Sequence, residues 1–221
     1  MFTGLIEEVG TIDAMEAMEG GRQMQIQASF ADNLRVDQSI SVNGVCLTVT
    51  TRGSGVFTVQ SVEETLRKTT LGLLQEGDPV NLERSLKLDD GIEGHLVQGH
   101  VDGVGKISTI SEEGADRLFE IEYPAESRDL VVSRGSIAVD GISLTVARIE
   151  RDHHFTVAII PYTIEHTNLS SKREGDPVNL EFDMFGKYVV NYLESRNRSS
   201  DADSADTADD ITASWLKERG Y

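Results

Sequence analysis

The chain of 221 residues holds one cysteine, Cys46, so it can form no internal disulfide. It has one tryptophan and four prolines, and only 6 % of it is aromatic. Cations are scarce: 20 Lys and Arg face 38 Asp and Glu, for a formal net charge of -18. Phosphate binding needs clustered Lys and Arg, so nucleic acid is not an expected partner. The acidity reads first as solubility. No apolar run approaches the roughly 20 residues that cross a bilayer, so no membrane partner is expected. Met1 to Glu8 lacks a basic start and a long apolar core, so no secretory signal is read and the expected location is cytoplasmic. One cysteine and no His pair at a ligand spacing leave no expected metal. There is no Walker loop and no GxGxxG.

What the chain does have is itself, twice. Residues 39–49 read SISVNGVCLTV and residues 136–146 read SIAVDGISLTV. EGDPVNLE stands at 76–83 and again at 174–181. Val9-Gly10-Thr11-Ile12 returns as Val104-Gly105-Lys106-Ile107, and Phe57-Thr58-Val59 as Phe155-Thr156-Val157. The offset drifts only from 95 to 98 residues. That period is too long for a solenoid unit and suits a duplicated domain. Two like domains offer two like pockets, and so a place for two copies of one ligand.

Each copy carries strand signals. Ser39 to Val42 alternates, Asn43-Gly44 turns, and Val45 to Thr50 resumes; Asp140-Gly141 repeats the turn. Many short strands with regular turns predict an all-β fold of two tandem closed or nearly closed antiparallel β-barrels. Two stretches read as helical instead, Glu63 to Leu74 and Thr163 to Ser171. The expected domains are 1–95 and 96–185, followed by a helix at 186–197 with apolar residues at helical spacing. The acidic tail at 198–221 is expected to be largely disordered, with a short helix around Trp215.

Differences at chemically capable positions are the informative ones. Cys46 becomes Ser143, Leu5 becomes His100, Ser85 becomes Asp183 and Asp37 becomes Arg134, while Thr48 and Thr145 match, as do Thr65 and Thr163. The second copy thus gathers a hydroxyl, an imidazole, a carboxylate and a guanidinium, which predicts one reactive pocket and one that holds. His100 follows Gly99, where backbone can approach a ligand, and its ordinary pKa suits proton transfer near neutrality. Cys46 reads as a small buried hydrophobe. His153 and His154 read as loop residues, and His95 and His166 show no evident partner.

Four segments in order, Met1 to Glu7, Asn43 to Val49, Gly94 to Asp102 and Asp140 to Val146, resemble the riboflavin synthase family, the enzymes of the lumazine-binding repeat. The resemblance runs from Met1 to about Leu193. It implies two six-stranded Greek-key barrels plus a C-terminal helix, and a homotrimer held partly by that helix. It implies an active site where the first barrel of one subunit faces the second barrel of a neighbour, holding two molecules of 6,7-dimethyl-8-ribityllumazine. One donates a four-carbon unit to the other, giving riboflavin and 5-amino-6-ribitylaminouracil, with no cofactor and no metal. A lumazine synthase capsid is a further partner known in the family.

The family's ligand segments fall on Gly4, Leu5, Ile6, Cys46, Leu47, Thr48, Gln60, Ser61, Val62, Glu63, Glu64 and Thr65 in the first barrel. In the second they fall on Gly99, His100, Val101, Ser143, Leu144, Thr145, Ile159, Ile160, Pro161, Tyr162, Thr163 and Ile164. A basic position falls on Arg134, where the family usually has lysine, a change of donor geometry. Phe2 is expected to cover the stacked rings. His100 is the candidate for proton transfer, Ser143 and Thr145 for hydroxyl contacts and Asp183 for orienting them. The alternative is a barrel protein that binds lumazine or flavin without turnover. A flavin-dependent oxidoreductase normally adds an α/β nucleotide domain, for which the chain has no room.

Overall fold

A computed structural model describes residues 1–150 and 153–202. The first half forms β1 (Glu8–Met18), β2 (Gly21–Gln27), β3 (Ser39–Val42), β4 (Val45–Gly53), β5 (Val56–Val62) and β6 (Pro79–Arg84). The second forms β7 (Gly103–Glu113), β8 (Asp116–Glu122), β9 (Ser136–Val139), β10 (Ile142–Ile149), β11 (His154–Ile159) and β12 (Pro177–Phe182). Each set closes into an antiparallel barrel, in the order β1-β2-β5-β4-β3-β6 and its copy β7-β8-β11-β10-β9-β12. The expected pair of six-stranded barrels is present. Even the irregularities are duplicated. Register shifts at Ile12/Ala14 and Val49/Thr51 recur at Ile107/Thr109 and Val146/Arg148. Such bulges bend a strand, which is what closing a six-stranded sheet requires.

Local chemistry explains the elements. Asn43 and Gly44 take φ of 46° and 79°, and Asp140 and Gly141 take 45° and 82°. Both central residues at positive φ make the tight hairpin turn that matches strand twist. The position that differs as Asp37 and Arg134 is also a positive-φ turn, at 67° and 65°, and in both copies its amide donates to the strand opposite, Val49 or Val146. The helical stretches are shorter than the sequence suggests. Glu63 to Leu74 divides into α1 (Glu63–Lys68) and a 3₁₀ turn at Thr70–Leu73; the second copy has α2 (Pro161–Glu165) and a turn at Asn168–Ser170. Thr69 and Thr167 cap the 3₁₀ turns that follow the helices, because each is extended and its hydroxyl accepts the amide two residues on.

Each barrel has its own core. Met24, Ile26, Ile40, Phe57 and Leu82 anchor the first; Phe119, Ile121, Val139, Phe155 and Leu180 anchor the second. β6 and β12 are buried on both faces. Val80, Leu82, Val178 and Leu180 point into the barrels, while the alternate residues Asn81 and Asn179 join the two barrels. Asn81 Nδ2 donates to the Asp140 carbonyl at 3.0 Å, and Asn179 Nδ2 to the Asn43 carbonyl at 2.7 Å. These bonds are exchanged about a pseudo-twofold axis. Asp140 is fully buried and paired with Lys172 Nζ at 2.9 Å.

A third helix, α3 (Met184–Ala202), follows as a separate unit. It starts earlier and runs further than the helix expected at 186–197, and it takes in residues 199–202 of the tail expected to be largely disordered. The rest of the acidic tail and the region of Trp215 lie outside the described residues.

Candidate active site

The candidate site starts at the N-terminus, where the leading segments of the two copies meet. Phe2 and Val97, equivalent residues of the two copies, pair antiparallel: the Phe2 amide donates to the Val97 carbonyl at 2.7 Å, and the return bond is 3.0 Å. From that bridge the two leading segments run apart, each onto the other copy's barrel. Ser143 N donates to the Gly4 carbonyl, and Cys46 N to the Gly99 carbonyl, both at 2.8 Å. Ile6 packs against the second core and Val101 against the first. The surfaces at these two crossings are therefore built from both copies. This corrects the grouping expected from sequence, which placed Gly4 to Ile6 with Cys46 and Gly99 to Val101 with Ser143. Repeats align residues by ancestry, while the segment exchange lies in the third dimension.

The approach is close because Gly4 and Gly99 have no side chain. Their φ values are 77° and 83°. A Cβ on Gly4 would stand 2.6 Å from Ser143 Cβ, and one on Gly99 would stand 2.5 Å from Cys46 Cβ. Two buried carboxylates clamp these segments. Glu83 accepts the Thr3 amide at 2.6 Å and the Gly4 amide at 3.0 Å. Its partner in the repeat, Glu181, accepts the amides of Gln98, Gly99 and His100 at 2.6 to 2.9 Å. Burial pushes the Glu83 carboxyl above the usual carboxylate range, and the Thr3 and Gly4 bonds pull it back.

The clamp leads to a prediction. Glu181→Gln puts an amide donor where three backbone donors converge. A hydrogen bond to a charged group contributes about 1.5–3 kcal/mol, so the variant should lose stability on that order and release the Gly99–His100 segment. Calorimetry checks the first, and faster amide exchange at residues 98–100 checks the second. Unchanged exchange there would show that the carboxylate is not the clamp.

The first cleft is lined by Val45, Cys46, Glu64, Thr65, Lys68, Thr69, Gly99, His100 and Val101. His100 is exposed, on the tip of the clamped segment. Lys68, with Arg67, holds the Glu64 carboxyl down to about 2, so this rim carries fixed charge. Of the other expected residues here, Leu47 and Ser61 are buried, while Thr48, Gln60, Val62 and Glu63 are exposed.

The second cleft takes the same positions with other side chains: Ser143 for Cys46, Tyr162 for Glu64, Thr163 for Thr65 and Leu5 for His100. Leu5, Thr145, Ile160, Pro161 and Tyr162 are exposed, Ile159 is buried, and Leu144 and Ile164 pack on the second core. Tyr162 stacks on His166 with ring centroids 4.0 Å apart. His166 Nδ1 lies 2.8 Å from the Tyr162 carbonyl, which can only accept, so Nδ1 carries the proton. Where the first rim is charged, the second is aromatic. Arg134 is exposed on the second barrel, at its turn.

Several single-residue expectations change. Phe2 is fully buried among Val97, Ala138 and Cys46, so its ring is packing and not a cover over ligand. His100 is not gathered with Ser143, since the exchanged segment carries it to the first cleft. His95, which showed no partner in the sequence, places Nδ1 2.7 Å from Ser143 Oγ. Its one sequence signal is the adjacent Gly94, where a Cβ would stand 3.0 Å from Ser143 Oγ. Of the two histidines expected in a loop, His154 opens β11, while His153 sits at positive φ, edge-on to Tyr123. Among the described residues, no group of His, Cys, Asp and Glu could hold a metal ion.

A tandem pair of closed six-stranded barrels, each crossed by the other copy's leading segment, defines the class of protein. The lumazine binding domain profile matches residues 3–85 and 98–183, one match per barrel, and the chain belongs to that family. Its relatives include the riboflavin synthase of Bacillus subtilis, 38 % identical over 222 aligned residues and all of both chains. That of Actinobacillus pleuropneumoniae is 39 % identical over all of both chains. That of Mycobacterium tuberculosis is 43 % identical, covering 88 % of this chain and 99 % of the relative. The fold matches the structure of LumP complexed with riboflavin, with TM-score 0.76 and 23 % identity over 82 % of this chain and 99 % of LumP.

Proposed function

We propose that the chain is a riboflavin synthase, a transferase that converts two molecules of 6,7-dimethyl-8-ribityllumazine into riboflavin and 5-amino-6-ribitylaminouracil. The observation that carries this reading is the pair of equivalent clefts with different side chains. A reaction between two identical molecules needs two seats of similar shape and dissimilar chemistry. Holding both in register supplies up to about 7–11 kcal/mol that solution encounter would cost in freedom of motion. The lumazine 7-methyl is acidic because its anion spreads into the ring, so a modest base suffices. His100 takes that proton in the first cleft, a contribution of about 10²–10⁴-fold. Ser143 and Thr145 present hydroxyls to the partner ring in the second, beside Asp183.

Within one chain the two seats diverge from the buried Phe2–Val97 bridge. A ligand pair face to face therefore needs the first cleft of one copy against the second cleft of another. A homotrimer closes that arrangement. α3 carries a stripe for such contact, with Phe185, Tyr188, Val189, Tyr192 and Leu193 exposed at helical spacing. Arg134 of one copy then adds a fixed charge at the neighbour's ligand. The reaction runs in the cytoplasm.

The test is incubation with 6,7-dimethyl-8-ribityllumazine alone. The proposal expects green riboflavin fluorescence, with one riboflavin formed for two lumazines consumed. Lumazine retained unchanged, with no riboflavin, would make the chain a binding protein of the same fold.

A further inference from the structure

Ser143 is held from three directions. Its amide donates to the Gly4 carbonyl, its Cβ meets the bare Cα of Gly4 and of Gly94, and its hydroxyl lies against His95 Nδ1. His95 is itself placed by its amide, which donates to the Thr3 carbonyl at 3.1 Å. Thr3 is in turn clamped by Glu83, through both its amide and its hydroxyl. The ring is thus fixed by backbone on one side and touches the serine on the other. At Cys46, the equivalent position, the partner segment contributes Gly99 at the same backbone distance. The contact between a ring and a hydroxyl is one feature that distinguishes the second cleft.

We infer that His95 is a positioning residue: its Nδ1 accepts the Ser143 hydroxyl proton, so that the Oγ lone pairs face the ligand in the second cleft. This deepens the proposed function and rests on it. A serine hydroxyl turns freely about its Cβ–Oγ bond and offers a donor or a lone pair as it turns. A fixed acceptor on one side removes that freedom. It leaves Ser143 an acceptor toward the ligand, for an N–H or a bound water at the electrophilic ring carbon.

The ring's protonation state agrees with this role. Burial pushes the His95 pKa below the ordinary histidine value, and the Asp183 carboxylate opposes it by favouring the charged form. A depressed pKa keeps the imidazole neutral at and above pH 6.5, where Nδ1 can accept. Below the folded-state pKa the ring gains a proton and becomes a donor, Ser143 turns round, and the effect is lost. The contribution is therefore present at neutral pH and disappears on acidification.

The experiment compares His95→Ala, His95→Asn, Ser143→Ala and the His95→Ala/Ser143→Ala double variant, with kcat and KM for lumazine followed across pH. Asparagine places an amide oxygen close to where Nδ1 stood, so it can accept from Ser143 but cannot titrate. His95→Ala should lower kcat roughly tenfold to a hundredfold with KM little changed, as loss of an oriented contact implies. His95→Asn should recover most of that loss and flatten the acid limb of kcat, which the wild type shows below pH 6.5. The double variant should be no slower than Ser143→Ala, because the two act as one unit. Additive losses in the double variant, an asparagine variant as slow as the alanine one, or wild-type kcat in His95→Ala would overturn the inference. Failure of the underlying function looks different, because the wild type itself would then make no riboflavin.

Discussion

Phe2→Ala is expected to abolish turnover and to lower stability by about 3–5 kcal/mol, the usual cost of truncating a buried phenylalanine. The ring is fully buried where the two copies meet. It contacts Val97, Ala138 and Cys46, so a cavity there touches both leading segments and a strand of each barrel. Gly4 is two residues from Phe2 and Gly99 two from Val97, and each makes the close contact at its own cleft. Slack at the bridge reaches both seats at once. For a fold whose whole stability is typically about 5–15 kcal/mol, the loss is large. Calorimetry measures it, and Phe2→Leu, which refills most of the space, should restore both the melting temperature and the rate. A Phe2→Ala variant with wild-type melting and turnover would show that the bridge does not space the clefts.

The glycine contacts make a more selective prediction. Gly4→Ala places a methyl 2.7 Å from the Ser143 backbone nitrogen, and Gly99→Ala one 2.9 Å from that of Cys46. Backbone stands on both sides, so no side chain can swing away. Positive φ adds strain of about 1–2 kcal/mol for any residue with a Cβ. Each variant should therefore open one cleft and spare the other. A lumazine lacking the 7-methyl cannot form the carbanion and so reports binding without turnover. Wild type should bind two equivalents of it per chain and each variant one, with riboflavin formation reduced more than a hundredfold in both. Two equivalents bound by Gly4→Ala would mean that its segment forms no wall of a seat.

The barrels were legible because duplication shows twice what one copy shows once. Asn43-Gly44 and Asp140-Gly141 are turns in sequence and turns in the structure. The alternation around Val80 and Leu82 reads as a strand and is one. The family was legible too, since Gly94 to Asp102 and Asp140 to Val146 are dense with its residues. The geometry of the clefts was not. Nothing in the order of residues says that Gly4 lies on Ser143 and Gly99 on Cys46, because an exchange between two copies leaves the alignment of the copies unchanged. The role of His95 is hidden for the same reason. Its partner is 48 residues away, across the barrel boundary. Phe2 is not legible because an exposed cover and a buried wedge look alike in sequence.

Crystals grown with the lumazine that lacks the 7-methyl test the central claim directly. The account predicts two ligands per chain. One lies against Cys46, Gly99 and His100, and the other against Ser143, Gly4 and Leu5, so that each touches residues of both copies. A ligand enclosed by one copy alone, Gly4 to Ile6 together with Cys46, or a single occupied cleft in every chain, would contradict it.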